Sequence, residues 1–94
     1  MVDLVSANRD RIVELAKRHG VTRVRLFGSM ARGDAGPQSD VDLLVDVGPD
    51  VTPWFPGGLV AELERLLGRR VQVVTERGLD DLLRDHVLRE AVPL

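Results

Sequence analysis

Asp40 and Asp42 stand one residue apart at the head of an apolar run, DVDLLVDV, residues 40–47. Side chains two apart on a strand project to the same face, with Cα atoms roughly 6.6 Å apart. The two carboxylates therefore share a side, while Val41, Leu43 and Val45 project the other way, toward a core. Leu44 follows the aspartates on their own face, so only the first end of the strand is polar there. Like charges this close repel unless something positive sits between them. A divalent cation meets that need, since magnesium takes hard oxygen ligands, commonly one or two carboxylates with waters and substrate phosphates. Asp40 and Asp42 are thus candidate metal ligands and candidate catalytic residues. The chemistry they suit is phosphoryl or nucleotidyl transfer.

Upstream, Gly28-Ser29 follows a second apolar run and opens the segment GSMARG. The start of a helix offers free N–H groups to a phosphate. Glycine lets the backbone come close, and the Ser29 hydroxyl adds a hydrogen bond. Gly28 and Ser29 are candidate nucleotide-binding residues. Arg32 joins them, and its guanidinium suits either a phosphate or a neighbouring carboxylate. Singly these motifs are weak, because Asp-x-Asp often marks a solvated strand end and Gly-Ser a turn. Their order, in a strand–turn–strand context, is what gives them weight.

That combination resembles a known family. Gly28-Ser29, ten intervening residues and Asp40-Val41-Asp42 match the signature of the DNA polymerase β-like nucleotidyltransferase superfamily. GSMARGDAGPQSDVDLLV looks like its minimal form, the MNT-domain proteins, and the GRRVQVVT strand and LRDHVLREAVPL tail are similar too. The resemblance runs from Val21 to Leu94, with DVTPWFPGG the least family-like part. It implies a nucleotidyltransferase fold, with ATP and magnesium at the Gly-Ser and Asp-x-Asp positions. It also implies a partner: many such proteins act as antitoxins toward an HEPN-domain ribonuclease toxin, in studied cases by transferring AMP to one of its tyrosines.

One residue departs from the pattern. The family carries a third acidic residue on the next strand, and here that strand reads Val71-Gln72-Val73-Val74, with Gln72 in its place. An amide accepts a hydrogen bond but brings no negative charge. Two expectations follow. One is a magnesium-dependent enzyme moving AMP from ATP to a hydroxyl of an HEPN toxin. The other is a catalytically weak nucleotide-binding module that neutralises its toxin by forming a complex. Glu76 has the strand parity of Gln72 but lies roughly 13 Å further along an extended chain. Asp46 has the parity of Asp40 but sits toward the other end of its strand.

The elements that must position these residues read as α/β. Leu4, Val5, Ile12, Leu15 and Ala16 follow helical spacing, and Gly20 is a good stop, predicting a helix over residues 3–19. VTRVRLF, 21–27, alternates as a strand. GSMARG allows a helical turn or two, and DAGPQSD is a loop in which Ser39 shapes the turn and Asp34 is solvated. A second strand spans 40–47, a helix 59–67, a third strand 69–75 and a final helix 80–92, with acids at its start and Arg89 near its end. The order is αβ(α)βαβα: one domain over residues 1–94, with a mixed central sheet of about three strands flanked by helices. His19 and His86 read as helix-end or surface residues. Trp54 and Phe55, bracketed by Pro53 and Pro56, read as a plug over the core, with a partner contact or a flap near a base as the alternative.

Composition narrows the classes. A chain of 94 residues builds one small core, with no second substrate domain, which favours a macromolecular partner and a homo- or hetero-oligomer. The formal net charge of −2 lacks the basic excess of a nucleic-acid binder. Cysteine is absent, which excludes disulfides and thiolate zinc sites. No apolar run approaches the roughly 20 residues of a membrane span. MVDLVSANRD lacks the basic start and apolar stretch of a signal peptide, so a cytoplasmic location is expected. Tyrosine is also absent, so a tyrosine acceptor must belong to another chain.

Overall fold

The computed structural model describes residues 4–94, and the expected first residue of the opening helix lies outside that range. The helix itself is broken in two, α1 (Leu4–Ala7) and α2 (Arg9–Arg18). The break is at Asn8, whose side-chain amide donates to the Leu4 carbonyl at 2.9 Å. Asparagine competes in this way with the helical ladder. There follow β1 (Val21–Phe27), α3 (Ser29–Arg32), β2 (Val41–Val47), α4 (Gly57–Leu67), β3 (Val71–Thr75), a 3₁₀ turn (Glu76–Gly78), α5 (Asp81–Glu90) and β4 (Val92–Pro93).

The sheet is mixed, as expected, but has four strands in the order β3-β2-β1-β4. β1 runs antiparallel to β2 and β4, while β2 and β3 are parallel. A parallel pair needs a crossover, which α4 supplies. β4 revises the reading of the C-terminal segment: the final helix stops at Glu90, and Arg25 and Leu26 pair with Pro93 and Val92. Proline disfavours helical backbone at the residue before it, so Val92 is released from the helix into an extended strand. The Leu94 N–H then donates to the Val24 carbonyl at 3.0 Å.

Alternation along the strands determines the core. Val41, Leu43 and Val45 are essentially inaccessible and join Val24, Leu26, Val71 and Val73 under α2 and α4, which contribute Ile12, Ala16, Leu59, Leu63 and Leu67. Leu44 points to the opposite face and is also fully buried, so that face is covered too. His19, at the end of α2, lies 3.2 Å from the Thr52 hydroxyl and 3.4 Å from Glu62, tying α2 to the long loop and to α4. The expected Trp54–Phe55 plug divides: Phe55 packs against the core, whereas Trp54 is 84% exposed.

Candidate functional site

The site is organised around one rung of the sheet. Asp42 pairs with Phe27 of β1 on one side and with Gln72 of β3 on the other. Gln72 is therefore the immediate β3 neighbour of Asp42, and it is exposed. Asp40 lies one residue before β2, which begins at Val41. That start is held by the Val41 N–H donating to the Arg70 carbonyl at 2.9 Å. The preceding loop is shaped by Ser39, whose hydroxyl accepts from the Gly36 N–H at 2.8 Å.

Gly28 connects β1 to α3 with φ 78° and ψ −160°, a region essentially restricted to glycine. A Cβ there would lie 2.2 Å from Asp42 Oδ2, so the Gly28 backbone rests directly against the carboxylate. The motif thus works as a close approach of backbone to the acid. α3 is a single turn, ended by Gly33 in the left-handed conformation, so its dipole is small. An anion at this place would rest on the Gly28 N–H, the Ser29 hydroxyl and Arg32.

Asp42 is half-buried, and its carboxyl is held above the usual range chiefly by burial, then by the charges of Asp40 and Glu90, while Arg32 pulls it down. A cation between the aspartates would relieve that cost. The donor set, two oxygen-bearing side chains with a glycine backbone pressed beside them, fits magnesium, which leaves further positions to water and phosphate. Among the described residues no group of three or more His, Cys, Asp or Glu side chains is disposed to hold a metal.

Of the two expectations for Arg32, pairing with carboxylates is what the structure shows. Its Nη1 donates to both oxygens of Glu90, at 3.1 and 3.2 Å, and its Nε to Asp34 at 3.2 Å. These contacts, that with Asp34 foremost, raise the guanidinium above its ordinary value. Asp34 is accordingly an ion-pair partner as well as an exposed loop acid. Glu90 is the residue that sequence reasoning passed over. Its side chain is only 11% exposed. It accepts from the Gly28 N–H and lies 3.2 Å from His86 Nε2. One signal was available: an acid in the last turn of a helix opposes the dipole and calls for a partner elsewhere.

The remaining acids lie apart from this rung. Asp46 is paired with Arg25 at 3.5 Å and Arg23 at 4.0 Å. It lines, with Thr75, Glu76, Arg77 and Arg84, a cavity of about 650 Å³ at the far end of β2. Neither Asp46 nor Glu76 takes the place of a third carboxylate.

A family model described as the nucleotidyltransferase domain matches residues 9–94. The chain belongs to the nucleotidyltransferase-domain family. This nucleotidyltransferase domain is 42% identical, over 81 residues, to the protein adenylyltransferase MntA of Thermococcus cleftensis, covering 84% of this chain and 80% of that one. A solved structure given the provisional description of a minimal nucleotidyltransferase superposes with a TM-score of 0.85 at 50% identity, over 98% of this chain and 96% of the other. The fold, though at 20% identity no more than the fold, is shared with the MNT antitoxin in complex with a tri-AMPylated Shewanella oneidensis HEPN toxin. That match has a TM-score of 0.69, over 93% of this chain and 68% of that one. No helix among the described residues is long and apolar enough to cross a membrane.

Proposed function

We propose that this nucleotidyltransferase domain is a protein adenylyltransferase that uses ATP and magnesium to transfer AMP to a tyrosine hydroxyl of an HEPN toxin, and so acts as an antitoxin. The observation that carries the reading is the Asp42 rung, where a half-buried carboxylate is flanked by Asp40 and pressed against the Gly28 backbone. Kinship with MntA supplies the reaction class, and the likeness to the MNT–HEPN complex supplies the partner class.

Asp40 and Asp42 would hold magnesium, which supplies Lewis-acid stabilisation of the phosphates and lowers the pKa of a bound hydroxyl. The Gly28 N–H, the Ser29 hydroxyl and Arg32 orient the triphosphate. The acceptor oxygen bonds to the α-phosphorus as the bond to the β-phosphate bridging oxygen breaks. Pyrophosphate leaves with that electron pair, and the hydroxyl proton passes to a carboxylate oxygen of the aspartate pair. The chain has no tyrosine of its own, so the acceptor comes from the partner.

Gln72 favours a second reading within the same pathway. It stands beside Asp42 without a charge, and a tyrosine, with an unperturbed pKa near 10, loses its proton more readily where negative charge gathers cation density. On this second reading the domain binds nucleotide, transfers slowly and neutralises its toxin mainly by complex formation. Transfer of label from α-labelled ATP to the co-purified HEPN partner tests both readings. Gln72→Asp should transfer faster than wild type. Fast wild-type transfer with no gain in the variant would remove Gln72 as the deficient position, and no labelling by either protein would remove the enzyme reading.

A further inference from the structure

Two of the three donors assigned to the triphosphate are already engaged by an anion. The Gly28 N–H donates to Glu90 Oε1, and Arg32 Nη1 bridges Oε1 and Oε2 at 3.1 and 3.2 Å. His86 Nε2 approaches Oε2 at 3.2 Å. A carboxylate and a phosphate present the same acceptor oxygens to such donors, and bidentate contact with arginine serves both. Glu90 belongs to α5, far from Gly28 in sequence, and only 11% of its side chain is exposed. Its contacts tie the end of α5 to the turn between β1 and α3, and Asp42 feels its charge.

We propose that Glu90 is an internal anion that fills the Gly28–Arg32 phosphate cradle and must leave it when a nucleoside triphosphate binds. The proposal rests on the nucleotide-binding reading above and adds a residue that sets affinity. A carboxylate beside Asp42 repels an incoming triphosphate, and it uses the amide and guanidinium that the phosphates need. The cradle is open only in the fraction of molecules whose Glu90 has swung out, and the apparent affinity is reduced by that fraction. Departure of Glu90 also removes the link between Gly28 and the end of α5, immediately before β4, so nucleotide occupancy is felt at the C-terminal strand.

The test is calorimetric binding of magnesium–ATP to wild type, Glu90→Gln and Asp42→Asn. Glu90→Gln keeps the shape and removes the charge, and its expected affinity is about tenfold higher than wild type. Unchanged or weaker binding in Glu90→Gln, with binding lost in Asp42→Asn, overturns the internal anion and leaves the nucleotide site standing. No binding by any of the three overturns both. A second measurement needs no variant. The Glu90 carboxyl ¹³C resonance of the wild type should shift on saturation with magnesium–AMP-PNP, and a resonance unmoved at saturation overturns the proposal.

Discussion

Replacing Gly28 with alanine tests whether the backbone–carboxylate contact is the organising feature of the site. Two costs add. The backbone, at φ 78° and ψ −160°, lies where a residue with a side chain is strained by about 1–3 kcal/mol. The new Cβ would also stand 2.2 Å from Asp42 Oδ2, with Cγ at 3.1 Å and Cβ at 3.3 Å, so the carboxylate oxygen must move away by more than 1 Å to reach the 3.4 Å of ordinary contact. For a domain of this size each kcal/mol lowers Tm by about 4–8 °C, so the backbone strain alone gives an expected drop of about 4–24 °C, which the clash can only enlarge. A misplacement of about 1 Å at a reacting centre costs on the order of 100-fold in rate. Gly33→Ala is the control: its φ is 81°, but nothing lies within 4 Å of the added Cβ, so it should lose about 1–2 kcal/mol and keep its nucleotide. The assays are thermal unfolding and magnesium-dependent ATP binding. Equal losses of binding in the two variants, or wild-type stability in Gly28→Ala, would refute the argument.

Two further outcomes follow from the same structure. A carboxyl held above its ordinary value binds its proton more tightly when folded, so Asp42 favours the folded chain at low pH and that contribution is lost as pH rises from 3.8 through the raised value. Without divalent cation, Asp42→Asn should therefore become progressively more stable than wild type as pH rises through that range, and added magnesium should raise the Tm of wild type alone; parallel pH–Tm curves would contradict this. Leu44→Ala, at a fully buried position on the face shared with Asp42, should cost about 2–5 kcal/mol in chemical denaturation, and a loss below about 1 kcal/mol would mean that this face packs more loosely than its burial implies.

What the sequence disclosed and what it concealed divide along physical lines. The two-residue alternation of Val41, Leu43 and Val45 set the face of β2 and with it the opposite face for Asp42 and Leu44, because strand parity is local, whereas Asp40, expected in the strand, lies just before it. Gly28 was legible as a point of close backbone approach, read toward a phosphate, whereas the neighbour the structure shows is the Asp42 carboxylate. Glu90 was not, because its partner Gly28 is 62 residues away and no local pattern encodes that meeting. β4 escaped notice because two residues, one of them proline, carry almost no strand signal. Asn8 ended a helix from inside a sound apolar period, by a side-chain bond that periodicity does not register. Trp54 and Phe55 are adjacent and equally apolar, so only the fold could send one inward and leave the other in solvent.

The place of Gln72 has a bearing on how such proteins diverge. It lies on β3, a border strand of the sheet, with its side chain in solvent, yet it is the lateral neighbour of Asp42. Surface substitutions away from caps and special backbone usually change stability by no more than about 0.5 kcal/mol. Beside Asp42 that allowance does not hold: a carboxylate at position 72 would add a like charge next to a half-buried acid already burdened by Asp40 and Glu90, a cost that only a bound cation offsets. Divergence at position 72 is thus governed by whether a cation offsets the added charge, and not by the packing of the core.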